Sequence, residues 1–352
     1  MSILVGALAP RFVCPTTSNP RYTSAAFGGR YVLLAFLPTD LAGRRAALAA
    51  ISGHRTLFDD VKLSAYGVLR EAQAIEMARD QTGLRWFLDR DGAVSRLFEA
   101  LTADGEARPR WVLLDPAECV LAIADIDKAD ELFAQIAALP APQDHAGVPL
   151  HAPVLIAPRI FEPDLCRRLI AYYEADGGSP SGVMREIDGR AVGILDDYKK
   201  RRDTMITDPD LARETREALS ARLLPQIRKA FQFRVSHIER FMVACYDAQD
   251  GGYFKPHRDD TTPGTAHRRF ACSINLNAEA FEGGDLTFAE FGPKTYRPPT
   301  GGAVVFSCSL LHEATSVTRG KRYAFLPFFY DAAAAAVREA NLAKVGGAEA
   351  AT

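Results

Sequence analysis

The amino-acid sequence predicts two domains, an α/β domain followed by an α+β domain that is rich in strands. A length of 352 residues suits about two domains of roughly 150 residues each. Strand-like and helix-like segments alternate up to about Pro140, whereas apolar runs of strand length dominate residues 237–330. Because 48% of the residues are hydrophobic, each domain has enough apolar side chains to bury a core.

A mixed sheet with helices beside it is expected in the first domain. Residues 31–37 form a continuous apolar run, which is typical of a strand that is buried on both faces. Turn signatures occur at residues 89–92 and 115–118. Further strands are predicted at residues 62–69, 110–114 and 119–124, and helices at residues 44–51, 71–82 and 130–139.

This β-α-β then β-β-α order resembles a thioredoxin-like fold, and residues 6–12 (GALAPRF) and 86–92 (WFLDRDG) resemble its peroxiredoxin branch. Peroxiredoxins carry a reactive thiol at the start of the helix after the first buried strand. Ala42 and Arg45 stand here where their Thr and Cys would lie, so the peroxidatic cysteine is missing. Cys14, in the preceding loop, is the alternative thiol. We expect residues 1–139 to be a docking, dimerising or substrate-presenting module that contacts a partner protein or a second copy.

A linker is predicted at residues 140–152, which are rich in proline and polar residues. The second domain is expected at residues 153–335, with residues 336–352 as a C-terminal helix or tail. Its first part is predicted to contain a strand at residues 153–157, a helix from Phe161 onward and two strands within residues 181–197. A mobile loop is predicted at residues 196–203 and an amphipathic helix at residues 209–231. Pro225 can kink or divide that helix.

Three potential metal ligands lie in the second domain. His257 and Asp259 are two residues apart, a spacing that puts both side chains on one face of a strand. A strand-like apolar run ends at His312. Two imidazoles and one carboxylate form a facial triad, which leaves open positions on the metal and suits non-haem iron(II). Zinc and manganese are accepted almost equally well by these ligands, so the ligand set alone does not fix the metal.

A carboxylate-binding group follows the second histidine. Arg322 is ten residues beyond His312, on the neighbouring strand of the same predicted hairpin. A guanidinium can hold a carboxylate with two parallel N–H bonds, so this position predicts a seat for a dicarboxylate. Lys321 is the alternative, because successive residues of a strand face opposite sides and only one of the two can point inward.

Five separated segments resemble, in order and spacing, the prolyl 4-hydroxylase-like iron(II)/2-oxoglutarate dioxygenases. They are residues 242–246 (MVACY), 257–259 (HRD), 273–277 (SINLN), 283–286 (GGDL) and 312–323, which runs from His312 to Tyr323. The resemblance implies a distorted double-stranded β-helix of the jelly-roll, cupin-like type. It also implies that His257, Asp259 and His312 bind Fe(II) and that Arg322 binds the C5 carboxylate of 2-oxoglutarate.

The resemblance extends to further site residues. Tyr246 and Asn275 are candidates for hydrogen bonds to the cosubstrate or for the pocket lining, with plain core positions as the alternative. Tyr253 is a candidate at the substrate entrance. Residues 260–268 and 181–203 are either lids or ordinary surface connections. Ascorbate is the expected reductant.

Composition and charge exclude other classes of function. The 42 Lys and Arg balance 44 Asp and Glu, which argues against a polyanion-binding surface, so we expect no nucleic acid. The sequence holds neither an apolar run of about 20 residues nor a secretory signal, and we expect a cytoplasmic protein without a membrane contact. The six cysteines form no C-x-x-C pair and are expected to be buried in the reduced form. No ligand spacing surrounds His54, His145, His151, His237 or His267.

Three functional hypotheses follow. The first is an iron(II)- and 2-oxoglutarate-dependent hydroxylase that acts on a prolyl or other residue, or on a small molecule, and converts 2-oxoglutarate to succinate. The second is a non-catalytic scaffold or sensor whose thioredoxin-like domain recruits a partner. The third is a thiol peroxidase, which the missing cysteine disfavours. The prime substrate is not identified by the sequence.

Overall fold

The structure is a computed structural model that describes residues 3–71, 74, 78–187 and 190–344. The chain divides into two compact units. The first is Met1–His151 with Ala289–Pro293, and the second is Ala152–Phe288 with Lys294–Thr352. Among the described helices, none is long and apolar enough to cross a bilayer.

The first unit contains seven labelled strands and three α-helices within its described residues. They are β1 (Val13–Cys14), β2 (Tyr22–Thr23), β3 (Tyr31–Phe36), α1 (Leu41–Gly53), β4 (Leu63–Leu69), β5 (Leu84–Leu88), α2 (Ala93–Leu97), β6 (Arg110–Leu114), β7 (Val120–Asp125) and α3 (Ala129–Ala137). The predicted strands and the helices α1 and α3 are confirmed to within a few residues. The predicted helix at residues 71–82 falls mostly outside the described residues.

A five-stranded mixed sheet forms the centre of this unit, in the order β5-β4-β3-β6-β7. Strands β3, β4 and β5 are parallel, whereas β6 and β7 are antiparallel to their neighbours. Every residue of β3 is buried. Val32 and Leu34 join the apolar cluster on one face, and Leu33 joins the cluster on the other face with α1 and α3. The run is continuously apolar because both faces of the sheet are covered.

The first helix of this unit carries no thiol. Helix α1 begins after Asp40, whose carboxylate accepts a hydrogen bond from the Gly43 amide at 2.7 Å. Arg45 lies on its exposed side. Cys14 is buried, and burial, followed by the nearby carboxylates of Asp89 and Asp91, raises the pKa of its thiol to about 12. This thiol is therefore protonated at neutral pH and a poor nucleophile.

The second unit contains eighteen labelled strands and four α-helices within its described residues. They are β8 (Leu155–Ala157), α4 (Pro163–Asp176), β9 (Ser179–Pro180), β10 (Val183–Ile187), β11 (Arg190–Ile194), β12 (Lys199–Lys200), β13 (Arg202–Met205), α5 (Pro209–Ala218), α6 (Leu224–Phe231), β14 (His237–Glu239), β15 (Met242–Asp247), β16 (Tyr253–His257), β17 (Phe270–Asn275), β18 (Glu282–Gly283), β19 (Leu286–Thr287), β20 (Thr295–Tyr296), β21 (Ala303–Ser307), β22 (His312–Ala314), β23 (Val317–Arg319), β24 (Lys321–Phe325), β25 (Phe328–Tyr330) and α7 (Ala332–Asn341).

Two sheets organise this unit. The smaller sheet has the order β12-β16-β22-β19-β20, and the larger one has the path β14-β25-β17-β24-β15-β13-β9, with β21 joining β17 to β8. Alternate residues of the larger sheet face the helices. Val243 and Phe325 pack with Leu169, Leu223 and Ile227 in one apolar cluster. The residues between them point away from the helices.

The predicted helix at residues 209–231 is present but is interrupted. A π-helical turn, Leu219–Leu223, joins α5 to α6, and Pro225 lies in the first turn of α6. A proline in the first turn costs little because its missing N–H would have no intrahelical partner there. Pro225 therefore divides the helix without ending it.

The prediction of a mobile loop at residues 196–203 is wrong. These residues include β12, which pairs with β16, and the start of β13, which pairs with β15. Lys199 and Arg201 are buried. Their polarity suggested solvent, but the Lys199 ammonium bonds to Ser181 Oγ and the Gly182 carbonyl, and the Arg201 guanidinium pairs with Asp203. The predicted hairpin at residues 181–197 is confirmed as β10 and β11, although its turn lies outside the described residues.

A buried charge cluster holds residues 260–268 against β14. Glu239 bonds to the His267 ring at 2.5 Å and receives two N–H bonds from Arg268. Burial raises the pKa of Glu239, but Arg268 and His267 outweigh this effect and hold the pKa at about 2. A carboxyl with a depressed pKa stabilises the fold above its unfolded pKa of about 4.3 and loses that contribution as the pH falls toward 2.

We predict that Glu239→Gln lowers the free energy of unfolding at pH 7 by on the order of 2–3 kcal/mol and weakens the loss of stability between pH 4.5 and 2. Denaturant unfolding at several pH values measures both effects. Glu217→Gln is the matched control, because its exposed ion pair with Arg213 should contribute less than about 1 kcal/mol. Equal pH profiles for wild type and Glu239→Gln would contradict the assignment.

Candidate metal and carboxylate site

Three ligand groups converge on one point beside the smaller sheet. His257 ends β16 and His312 begins β22, and these two residues are direct partners in the antiparallel pairing of the strands. Asp259 follows β16. Its carboxylate oxygens lie 3.6 Å from Nε2 of His257 and 3.4 Å from Nε2 of His312. One ligand atom from each residue lies within 4.8 Å of the others.

Backbone carbonyls orient the two imidazoles. Nδ1 of His257 lies 2.8 Å from the Lys255 carbonyl, and Nδ1 of His312 lies 3.0 Å from the Leu310 carbonyl. A carbonyl only accepts, so each Nδ1 carries the proton and each Nε2 keeps its lone pair. Both lone pairs therefore face the Asp259 carboxylate, as in metal-binding histidines whose other nitrogen donates to the protein.

The electrostatics keep His257 and Asp259 in the forms that bind metals. Burial, with His312 next in size, lowers the pKa of His257 to about 3. Burial raises the pKa of Asp259, but the facing His312 and His257 more than offset it, so the net shift is downward. Neutral imidazoles and an ionised carboxylate are the protonation states that metal binding requires.

The donor set fits a divalent first-row metal ion. Bonds from such an ion to nitrogen and oxygen are about 2.0–2.2 Å long, so adjacent ligand atoms lie about 3 Å apart. The observed separations of 3.4 and 3.6 Å are close to this value. Two nitrogens and one carboxylate oxygen occupy one side of the ion and leave the other side open.

A buried arginine lies in the wall of the same cavity, on the larger sheet. Arg322 of β24 is 3% exposed, and its Nη2 donates to Ser273 Oγ of β17 at 2.8 Å. Nε and Nη1 have no hydrogen-bond partner. Its guanidinium carbon is 5.1 Å from the centre of the Tyr246 ring. Two buried nitrogens without an acceptor are costly, and a carboxylate bound along one edge of the guanidinium could pair with one of them together with Nη2.

Strand alternation distinguishes Arg322 from its neighbour. Lys321 faces the other way, toward Glu174 at 4.0 Å and Asp247 at 3.6 Å. Its side chain is 44% exposed. Arg322 therefore points into the cavity and Lys321 points away from it.

The remaining predicted site residues are distributed differently. Tyr246 is buried in the cavity wall, and its hydroxyl accepts a hydrogen bond from Arg201 at 3.3 Å. Asn275 lies outside the cavity lining, and its amide donates to the Pro298 carbonyl at 2.8 Å. Tyr253 also lies outside the lining, with its hydroxyl on the Asp197 carbonyl at 2.9 Å.

Four polar lining residues were missed in the sequence. Ser273 belongs to the motif at residues 273–277. It is two residues from Asn275 on the same strand, so both side chains lie on one face of the strand, and this spacing could have indicated Ser273 as a site residue. Lys199 and Arg201 lie in the segment that was assigned to a mobile loop. Arg240 precedes β15 with a positive φ of 67°, which no local sequence pattern indicates.

The first proposed lid segment and the end of the second are anchored in this structure. Thr262, Thr265, His267 and Arg268 are buried, and the Glu239 cluster holds the end of their segment. In the other segment, β13 is an internal strand of the larger sheet. His267 is thus a buried histidine whose Nε2 pairs with Glu239, whereas its Nδ1 has no hydrogen-bond partner among the described residues.

Comparison with known families finds a match within the second half of the chain. Residues 241–330 match the 2OG-Fe(II) oxygenase superfamily. A PKHD-type hydroxylase from Cupriavidus metallidurans is 29% identical over 149 residues, which cover 39% of this chain and 64% of that protein. A PKHD-type hydroxylase from Synechococcus sp. (strain JA-3-3Ab) is 28% identical over 118 residues, which cover 32% of this chain and 52% of that protein. The chain thus spans about half to two thirds of these relatives.

Solved structures are similar to each part of the chain. A Pseudomonas putida prolyl-4-hydroxylase aligns with a TM-score of 0.41 and 20% identity, over 55% of this chain and 98% of that one. The Mycobacterium tuberculosis protein AhpC aligns with a TM-score of 0.33 and 17% identity, over 40% of this chain and 94% of that one.

We predict that Asp259→Asn weakens binding of Mn(II), a probe for the metal site, by at least about 100-fold, because the variant loses the only anionic ligand of the triad. Titration of the purified protein followed by electron paramagnetic resonance measures the free ion. Asp247→Asn, on the outward side with Lys321, is the control and should bind Mn(II) like the wild type. Undiminished binding by Asp259→Asn would rule out this metal site.

Proposed function

We propose that this chain, whose residues 241–330 form a 2OG-Fe(II) oxygenase domain, is an Fe(II)- and 2-oxoglutarate-dependent hydroxylase. The observation that carries the proposal is the convergence, in one cavity, of a metal-binding triad and a buried guanidinium with two unsatisfied N–H groups. The family implies Fe(II) as the metal and 2-oxoglutarate as the cosubstrate. Fe(II) fits the two imidazoles and the carboxylate of the triad, and a carboxylate of 2-oxoglutarate fits the Arg322 guanidinium.

Each side chain has a separate role in this proposal. His257, Asp259 and His312 hold the iron, and Arg322 holds the distal carboxylate of 2-oxoglutarate together with Ser273. Bound iron would supply the oxidising chemistry with dioxygen as the oxidant: 2-oxoglutarate loses carbon dioxide and takes up one oxygen atom to form succinate, and the other oxygen atom hydroxylates a C–H bond of the prime substrate. The protein supplies binding, orientation and the exclusion of water.

Aromatic side chains fix the metal ligands. The ring of Phe254 stacks on His257 with a centroid distance of 3.4 Å. The rings of Phe306 and His312 form a T-shaped pair with a centroid distance of 4.5 Å. These contacts restrict the imidazoles to the orientation set by their backbone hydrogen bonds. The same rings form an apolar wall, which strengthens the attraction between the charged groups inside it.

Tyr246 is held in place for a role beside the carboxylate seat. Its hydroxyl accepts from Arg201, whose guanidinium donates two hydrogen bonds of 2.7 Å to Asp203. Because the hydroxyl lone pairs are engaged by Arg201, its proton remains available for a ligand oxygen. In this proposal Tyr246 donates to 2-oxoglutarate.

The two sheets of the second unit are interpreted as a distorted double-stranded β-helix of the jelly-roll, cupin-like type. The metal ligands come from the smaller sheet, and the carboxylate seat comes from the larger one. Ligand sites between two packed sheets are common in such folds. We place this domain at residues 153–335, with the linker at residues 140–152 and the tail at residues 336–352.

The prime substrate is proposed to be a prolyl or other residue of a protein, or a small molecule, in keeping with the PKHD-type hydroxylases that the chain resembles. Ascorbate is proposed as the reductant. The unit at residues 1–139 is proposed to bind a partner protein or a second copy of the chain. In a non-catalytic scaffold, Nε and Nη1 of the buried Arg322 would have no ligand to bind. We therefore favour the enzyme.

We predict that Arg322→Ala raises the concentration of 2-oxoglutarate that half-saturates succinate formation by about 30-fold or more, because it removes charge-assisted hydrogen bonds worth about 1.5–3 kcal/mol each. Succinate is measured with Fe(II), ascorbate and varied 2-oxoglutarate. Mn(II) affinity should not change, since the metal ligands are intact.

Lys321→Ala is the matched control, because it removes the neighbouring cation on the outward side. Its half-saturating 2-oxoglutarate concentration should stay within about 2-fold of the wild type. A reversed pattern, in which only Lys321→Ala weakens 2-oxoglutarate, would overturn the assignment of Arg322. Absence of any 2-oxoglutarate turnover in the iron-loaded wild type would overturn the proposed function itself.

A further inference from the structure

A buried lysine in the wall of the cavity has no role in binding the metal or 2-oxoglutarate. Lys199 of β12 is 7% exposed. Its Nζ donates to Ser181 Oγ at 2.6 Å and to the Gly182 carbonyl at 2.9 Å, and it lies 5.0 Å from the centre of the Phe254 ring. These partners are all neutral. Within the described part of the chain, no carboxylate forms an ion pair with Lys199.

The position of Lys199 relative to the metal ligands follows from strand pairing. Lys199 is the direct partner of Phe254 in the pairing of β12 with β16. The Phe254 ring in turn stacks on His257 with an interplanar angle of 19°. The ammonium group and the imidazole therefore both lie against the phenyl ring. A ligand group held by Lys199 would lie one aromatic ring away from a metal ligand.

The other cations of the cavity are accounted for. Arg201 is neutralised by the two hydrogen bonds that it donates to Asp203. Arg240 lies 3.7 Å from the same carboxylate and is partly exposed. In the proposed function, the single charge of Asp259 and the two charges of 2-oxoglutarate balance the dication and Arg322. Lys199 is then left as a cation without a matching anion.

We propose that the prime substrate carries a carboxylate and that Lys199 binds it. This inference rests on the proposed function and names the class of its substrate. A buried ammonium with only neutral partners is costly, because water has been removed without an opposite charge in return. A substrate carboxylate would supply that charge.

The pKa of Lys199 in the free protein reflects the cost of burying its charge without an anion. Burial, with Arg201 next in size, lowers the pKa of its ammonium well below the ordinary value of a lysine. Phe254 offers its ring face, which favours a cation but does not neutralise it. Two sources of a carboxylate have the same chemistry, namely a small carboxylic acid and an acidic side chain of a peptide.

The test uses the full chain loaded with Mn(II) and saturating 2-oxoglutarate, so that Arg322 is occupied. The probes are pivalate and pivalamide, which have nearly the same shape but differ in charge. Paramagnetic broadening of their methyl proton signal reports proximity to the metal. We expect pivalate to be broadened at least about 5-fold more than pivalamide at equal concentration.

Three variants assign the effect to one side chain. Lys199→Met should abolish the preference for pivalate, and Lys199→Arg, which keeps the charge, should retain it at least in part. Lys200→Met is the matched control, because Lys200 is next on the strand and pairs with Asp197 outside the cavity, and it should behave as the wild type. Mn(II) and 2-oxoglutarate binding should be unchanged in all three variants.

A second pair of probes distinguishes the source of the carboxylate. These are the peptides acetyl-Ala-Glu-Ala-amide and acetyl-Ala-Gln-Ala-amide. A preference for the glutamate peptide that depends on Lys199 indicates an acidic peptide, whereas a preference confined to pivalate indicates a small acid. Either result supports the proposal.

Equal broadening by pivalate and pivalamide in the wild type would overturn the proposal, and this comparison needs no variant. A preference that persists in Lys199→Met would also overturn it and would leave Lys199 as a structural tether of residues 181–182. Failure of 2-oxoglutarate to displace water from bound Mn(II), seen in water proton relaxation, would instead overturn the proposed function, and the inference with it.

Discussion

The direct pairing of His257 with His312 across two antiparallel strands is the constraint on which the site depends. Partners in such a pair have their side chains on the same face of the sheet, a few ångströms apart. The neighbouring backbone carbonyls then fix both rings, so that each Nε2 faces Asp259. A shift of one strand by one residue would turn one imidazole to the opposite face and abolish the triad.

The larger sheet contributes through its two faces. One face carries Val243 and Phe325 against the helices, so that side must be apolar. The other face holds Arg322 and Ser273, which are hydrogen-bonded to each other in the wall of the cavity. A buried polar group needs such a partner. The helices thus fix the position of the sheet, and the sheet fixes the height of the guanidinium relative to the metal ligands.

Charge inside the second unit is arranged in matched groups. Arg201 pairs with Asp203, and Arg268 with His267 pairs with Glu239. Such pairs are tolerated in a core because hydrogen bonds offset the loss of water. Arg322 and Lys199 are exceptions, since neither has a carboxylate partner in the described structure. Unmatched cations in a cavity mark the places where an anionic ligand is expected.

The sequence by itself determined the alternating elements of the first unit and the run of β3, because these follow from local periodicity. It also predicted that His257 and Asp259 lie together, although Asp259 lies in the turn after β16 and not on the strand. It also identified Arg322 and Lys321 as the two candidates for the residue that binds a carboxylate. Only the tertiary structure decided between them, since the face of a strand that becomes the interior depends on what packs against it. The same reason explains Lys199 and Arg201, whose charged segment resembles a solvated loop until distant strands enclose it.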